Sequence, residues 1–374
     1  MVGGGQLARM SAGPAAALGI DLRVLATSPT ESAAQVVADV ALGSHDDEHA
    51  VLKFAEGCDV VTFDHEHVPP PILEKLEARG VAVRPGPHAL INAQDKAVMR
   101  RTLEGAGAPV PAWQVVASVG EAEDFASEVG YPFILKTTRG GYDGKGVWRI
   151  EDPGSLAQVM ESALAPGAQW LAEAAVPFVQ ELSAQVARSP SGQSVAYPVV
   201  RTVQADGICS EVLAPAPDLD PERAVEAQRI ALEIAGALNV TGMLAVEMFD
   251  TGQEITVNEL AMRPHNSGHW SIEGAVTSQF ENHLRAVLDL PLGSPNLRAP
   301  AAVMVNILGG DVGDLYSAYR HVFARDPGVK VHLYGKEVRP GRKVGHVTAV
   351  GEDVDRLLDR ARHAADYFSG AIDE

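Results

Sequence analysis

A three-lobed α/β protein is predicted by three observations. The first third alternates short apolar runs with Ala-rich stretches, glycines and prolines break the pattern at 105–111, and two strand-length runs at 242–249 and 254–260 precede a helical interval. The 374 residues are about two to three times a common domain length. The divisions that follow are an open parallel-sheet domain over 1–107, a small central lid over 108–185, and an α+β region over 186–374 with a small terminal subdomain from about 298.

In the first lobe, residues 20–26 and 59–63 read as strands with helices between them. The proline run 69–71 closes one element, 72–79 reads as a helix and 81–84 as the next strand. Only Met1 and Val2 precede Gly3-Gly4-Gly5, too few for an ordinary first strand, so a missing or misassigned beginning is expected. The central lobe takes strands at 133–136, 147–150, 170–175 and 180–188, the first two joined by a glycine-rich loop. The last lobe takes strands at 242–249, 254–260 and 302–307 and a helix over 272–288, whose Ile272, Val276, Phe280, Leu284 and Leu288 recur at helical spacing and read as core.

Composition narrows the function. With 46% hydrophobic and 21% charged residues the chain can bury substantial cores. Lys plus Arg is 30 and Asp plus Glu is 49, a net charge of -19 that repels a nucleic-acid backbone. Cys58 and Cys209 are too few for a disulfide framework or a four-thiolate metal site, and neither sits in a Cys-His arrangement. No apolar run reaches membrane-spanning length, and the beginning lacks a secretory pattern. A cytoplasmic protein with neither membrane nor nucleic-acid partners is expected.

The chemistry-bearing segments are local. Gly3-Gly4-Gly5, before Gln6 and Leu7, is either a structural turn or a ligand-facing loop, and matches neither a dinucleotide fingerprint nor a Walker A motif. The run Arg139 to Gly146, with Gly140, Gly141, Gly144 and Lys145, lies between two strands near Lys136. It suits a loop covering ATP phosphates, a hairpin built for geometry alone being the other reading. Glu247 and Glu259 carry the sharpest argument, since a hairpin centred at Gln253 sets them opposite each other on one face, with Asn258 near the rim. Paired carboxylates repel unless a cation lies between them, and hard oxygen donors suit Mg²⁺, with solvent-facing acids as the alternative. Glu173 and Glu181 can orient an adenosine or serve as soluble edge residues.

Two cationic segments suggest an acceptor. Arg263-Pro264-His265-Asn266-Ser267-Gly268-His269 can hold a phosphorylated ring, and Lys336, Arg339, Arg342 and Lys343 reverse the charge of an acidic chain within eight positions. Each also suits an ordinary turn. His65-Glu66-His67 sets two histidines on one strand face without the third ligand that zinc needs, and Glu66 can form a pocket wall instead.

Together, Gly3 to Met10, Gly140 to Gly146, Asn258 to His269 and Arg339 to His346 resemble the ATP-grasp ligases, in particular those that carboxylate 5-aminoimidazole ribonucleotide, over nearly the whole chain. Val344 stands where that family commonly has methionine, leaving the charges intact. The resemblance implies a three-lobed ATP-grasp fold, a homodimer, and ATP with Mg²⁺ or Mn²⁺. It implies Lys96, Lys136, Lys145, Glu173 and Glu181 around ATP and Glu247 and Glu259 on the metal. Tyr142, Asp143, Arg263, His265, Lys336, Arg339 and Lys343 would surround the acceptor, together with Gly5, Gln6, Leu7, Glu66, Asn266 and Arg342. Lys145, Asp143, Arg263 and His265 would be closest to the chemistry. The implied reaction activates bicarbonate as carboxyphosphate and yields N5-carboxyaminoimidazole ribonucleotide, ADP and phosphate. Other ATP-grasp carboxylases or formyltransferases, and a nucleotide-binding regulatory protein, are the alternatives.

Overall fold

The computed structural model describes residues 1–140, 146–162, 169–205 and 207–373. The first lobe contains parallel pairs β1 (Arg23–Ala26) with β2 (Asp39–Leu42), and β3 (Val60–Val61) with β4 (Ala82–Val83). Val2 bridges Leu25 and Phe63 in parallel, so one residue joins the two pairs into a single layer. The helix predicted over 72–79 forms as Pro70–Ala78, taking two of the prolines into its first turn because proline's fixed φ and missing N–H suit that position.

The second lobe is an antiparallel sheet in the order β5 (Trp113–Val116), β8 (Trp170–Ala174), β6 (Phe133–Thr137), β7 (Val147–Ile150). Phe125, Phe133, Leu135, Leu156 and Trp170 form its core under the helices Val119–Val129 and Pro153–Ser162. The strand expected at 180–188 does form, as β9 (Gln180–Arg188), but it leaves this sheet. Its pairing partners lie in the third lobe.

There β9 joins β10 (Ser194–Ala196), β11 (Val200–Ala205), β12 (Ile208–Ala214), β13 (Gly242–Asp250), β14 (Ile255–Ala261), β15 (Ala301–Leu308), β16 (Lys330–Leu333) and β17 (Lys343–Gly351) in one antiparallel sheet. Its order is β14-β13-β9-β11-β12-β15-β17-β16, with β10 on β9. The terminal strands therefore extend the large sheet through the β12–β15 pair. The helix Val354–Ser369 lies on them, burying Leu357, Ala361, Ala364, Ala365 and Phe368 at helical spacing.

The single helix expected over 272–288 is two, Ser271–Gly274 and Gln279–Val287. Ala275 turns extended to bridge Leu297, and Ser278 caps the second helix by accepting the Glu281 N–H. Phe280 and Leu284 keep their core places, whereas Val276 falls in the break and is 48% exposed.

Candidate active site

A cavity of about 620 Å³ opens between the second and third lobes. β13 and β14 form its floor. Their turn at Thr251–Glu254 pairs Asp250 with Ile255, Phe249 with Thr256 and Met248 with Val257. Continued unbroken, that register would set Glu247 against Asn258. A β-bulge intervenes at Asn258, so Glu247 pairs with Glu259. The predicted partners are right, but the simple hairpin centred at Gln253 is replaced by a tighter turn and a bulge. The bulge lets consecutive polar residues, Asn258 and Glu259, both line the cavity while Val257 remains in the core.

The two acids differ electrostatically. Burial pushes the Glu247 carboxyl up to about 7, helped by Glu259 and Glu181. Burial is the largest influence on Glu259 too, but Lys96, Lys136 and Arg100 together outweigh it and hold that carboxyl below its usual range. The Lys96 ammonium lies 2.7 Å from Glu259 Oε1. It stands at the start of the helix Lys96–Gly105, where the Asp95 carboxylate caps the N–H groups of Ala97 and Val98.

Lys136 on β6 is 2.6 Å from Glu173 Oε2 and donates to Asn258 Oδ1 at 3.2 Å. Glu173 on β8 is 3% exposed, and its other oxygen accepts from Arg100 Nε at 2.6 Å. Burial opposes its ionisation, yet Lys136 and Arg100 prevail and bring its carboxyl down to about 2. The Glu173 side chain is thus held by two cations. Glu181 on β9 lines the same cavity with its carboxyl raised by burial. Beside it the backbone segment Ala174-Ala175-Val176, with Ile134, Phe249 and Leu260, forms an apolar slot, and Phe178 stacks on Phe249 with centroids 4.8 Å apart.

At the other end, Arg263 Nε donates to Glu66 Oε2 at 2.7 Å, while Glu66 Oε1 accepts the Met262 N–H at 3.1 Å. Glu66 lines the cavity and orients Arg263. His65, Glu66 and His67 lie in the irregular segment beyond β3 rather than along one strand face. No group of three or more histidine, cysteine or carboxylate residues fit to hold a metal occurs among the described residues. His265 Nδ1 is 2.8 Å from Ser267 Oγ, and its Nε2 is 3.6 Å from Glu247. Burial, then Arg263 and Lys343, hold the imidazole far below its ordinary pKa, so it is neutral at pH 7. Asn266 and Asn306 exchange two amide hydrogen bonds at 2.8 and 3.0 Å. Lys343, at the start of β17, completes this wall.

The cavity therefore brings together Glu66, Lys136, Glu173, Glu181, Glu247, Asn258, Glu259, Arg263, His265, Asn266 and Lys343, with Lys96 joined through Glu259. Gly5, Gln6, Leu7, Lys336, Arg339 and Arg342 are not in its lining. Gly5 donates its N–H to Asp64 at 2.5 Å, and a Cβ there would meet Asp64 Oδ2 at 2.2 Å, so close packing requires this glycine. Gln6 Oε1 accepts from Lys336 Nζ, and Leu7 is buried. Arg339 pairs with Glu337 at the surface, and Arg342 donates to the Glu337 carbonyl. Gly140 and Gly146 both have positive φ, whereas Gly141, Tyr142, Asp143, Gly144 and Lys145 lie outside the described residues. Sequence reasoning missed Asp64, Arg100 and the apolar slot. An acid paired to a helix start carries a faint capping signal, but a slot made of backbone and alanine carries none.

Two carboxylates and two lysines beside an apolar slot between two lobes define a nucleotide-dependent ligase of the ATP-grasp class. The ATP-grasp domain family matches residues 101–280, the ribonucleotide synthetase preATP-grasp domain matches 1–94, and the phosphoribosylaminoimidazole carboxylase C-terminal domain matches 302–360. The N5-carboxyaminoimidazole ribonucleotide synthase of Mycobacterium tuberculosis is 53% identical over 99% of this chain and 87% of its own. The crystal structure of the Thermus thermophilus synthetase is 37% identical with a TM-score of 0.87, covering 100% of this chain and 99% of that one. An Aspergillus clavatus synthase crystallised with ADP and 5-aminoimidazole ribonucleotide is 31% identical with a TM-score of 0.89, covering 99% and 98%. The chain belongs to the N5-carboxyaminoimidazole ribonucleotide synthase family and is an ATP-dependent ligase. No helix among the described residues is long and apolar enough to cross a membrane.

Proposed function

We propose that the cavity binds ATP, bicarbonate and 5-aminoimidazole ribonucleotide and performs the reaction of this family in two displacements. A bicarbonate oxygen attacks the γ-phosphorus of ATP, the bond to ADP breaks, and carboxyphosphate forms. The exocyclic amine of the acceptor then takes the carboxyl carbon, either from carboxyphosphate or from carbon dioxide released beside it. Phosphate leaves, the amine proton is lost, and N5-carboxyaminoimidazole ribonucleotide results. Phosphate can itself take that proton.

The slot of Ile134, Ala174 to Val176, Phe249 and Leu260 suits an adenine, and Glu181 suits the ribose hydroxyls beside it. Lys136 and Lys96 would meet the phosphates, and the sequence pattern of the glycine-rich run with Lys145 suits a loop that shields and neutralises them. Glu247, Glu259 and Asn258 fit Mg²⁺ or Mn²⁺: their donors are hard oxygens, and the Glu247 carboxyl is raised by burial first and by the facing Glu259 second, a charge a cation would offset. The ion would offset charge developing on the transferred phosphoryl group. Few protein ligands are needed, because Mg²⁺ retains water and phosphate oxygens.

Arg263, rigidified by Glu66, and Lys343 provide the cationic end for the acceptor. Neutral His265, with Asp143, orients the ring and its amine. Tyr142, Asn266, Lys336, Arg339 and Arg342 extend this acceptor side, together with Gly5, Gln6 and Leu7. The working form is a cytoplasmic homodimer.

The facing pair Glu247 and Glu259, each within the cavity that also holds Lys136 and Arg263, carries this reading. Purified full-length protein should release ADP and phosphate only when ATP, bicarbonate and 5-aminoimidazole ribonucleotide are all present, with the carboxylated product separated directly. Absence of acceptor-dependent turnover in folded protein overturns the proposal, and sedimentation tests the dimer.

A further inference from the structure

Arg100 lies wholly buried, with 0% of its side chain exposed, on the helix Lys96–Gly105. Its guanidinium reaches three places at once. Nε donates to Glu173 at 2.6 Å, Nη1 to the Val257 carbonyl at 3.1 Å and Nη2 to the Asn258 carbonyl at 2.7 Å. In an unbroken strand successive carbonyls point to opposite edges. Two consecutive carbonyls of β14 reaching one guanidinium are therefore the backbone signature of the bulge, and among the described residues β14 is the edge strand of its sheet.

We propose that Arg100 is a positioning residue for the metal site: its planar fork holds the β14 bulge and thereby sets Glu259 opposite Glu247. This rests on the reading of Glu247 and Glu259 as metal ligands. The same guanidinium ties the bulge to Glu173 of the second lobe, and Glu173 in turn holds Lys136, which donates to the bulge residue Asn258. One buried cation thus fixes an acid of each lobe. A lysine cannot replace it, because an ammonium has no rigid fork to span two carbonyls and a carboxylate.

The test compares Arg100→Lys and Glu259→Gln for Mn²⁺ retention in the presence of ADP, read by electron paramagnetic resonance without turnover. Thermal melting and the KM for 5-aminoimidazole ribonucleotide are measured alongside. Arg100→Lys should melt within a few degrees of wild type, weaken Mn²⁺ at least tenfold, and leave acceptor KM within about twofold. Should Arg100→Lys not fold, Arg100→Met removes the fork while leaving Glu173 paired to Lys136, and serves the same comparison. Unchanged Mn²⁺ affinity in a folded Arg100 variant, while Glu259→Gln loses the ion, overturns the positioning role alone. Unchanged affinity in Glu259→Gln overturns the metal reading and this inference with it.

Discussion

Glu247 and Glu259 face each other across β13 and β14 although the turn between those strands is one residue out of step with that pairing. The displaced residue, Asn258, is what places a second acid on the cavity side. Carboxylate chemistry here depends on a backbone irregularity rather than on side-chain choice alone.

Glu259→Gln keeps the volume and removes the charge. Metal-dependent turnover should fall at least about a hundredfold. Stability should change by under about 1 kcal/mol, since the Lys96 pair borders the solvent of the cavity. Initial rates against Mg²⁺ concentration, with melting of the metal-free protein, check both parts. Wild-type metal dependence would remove Glu259 from the site.

Glu247→Gln relieves repulsion between facing acids. At pH 8 without divalent ions, the variant should be more stable than wild type by about 1 kcal/mol. Saturating Mg²⁺ with ADP should stabilise the wild type more than the variant. Denaturant melts under the two conditions decide this, and equal ligand stabilisation would contradict the assignment.

Glu173 supplies a pH dependence of definite sign. Its folded carboxyl, brought to about 2 from 4.5, contributes stability present above pH 4.5 and lost as pH falls toward 2. The full contribution is about 3 kcal/mol. Glu173→Gln should cost about that much at pH 7, leaving Arg100 and Lys136 without their anion, and its stability should fall less steeply with acid than that of wild type, the low-held carboxyls of Glu259 and Asp326 keeping part of the acid limb in both. An identical acid limb in the variant would assign that loss elsewhere.

Lys343→Ala tests the acceptor end. The KM for 5-aminoimidazole ribonucleotide should rise at least about tenfold while that for ATP stays within about twofold. Steady-state kinetics with each substrate varied in turn resolves the two. A selective rise in the ATP value would move Lys343 to the nucleotide side.

The acid pair was legible because both runs alternate and their separation fits a hairpin. The bulge was not, because its stabilising group is Arg100, 157 residues away from Val257. In sequence Arg100 precedes a second arginine on a polar helix and reads as a solvated side chain. Local pattern likewise located β9 but not its sheet, since strand periodicity does not specify which neighbour supplies the hydrogen bonds. The helix break at 275–278 depends on Ala275 pairing with Leu297, another contact invisible to periodicity.

The chain passes from β8 to β9 through residues 175–179, and this strap changes sheets while forming part of the apolar slot. The second lobe is tied to the rest of the chain here and at residues 106–112, between the helix Lys96–Gly105 and β5. With the slot read as the adenine site, a bound purine would rest on one of these two ties and couple nucleotide binding to the placement of the small lobe.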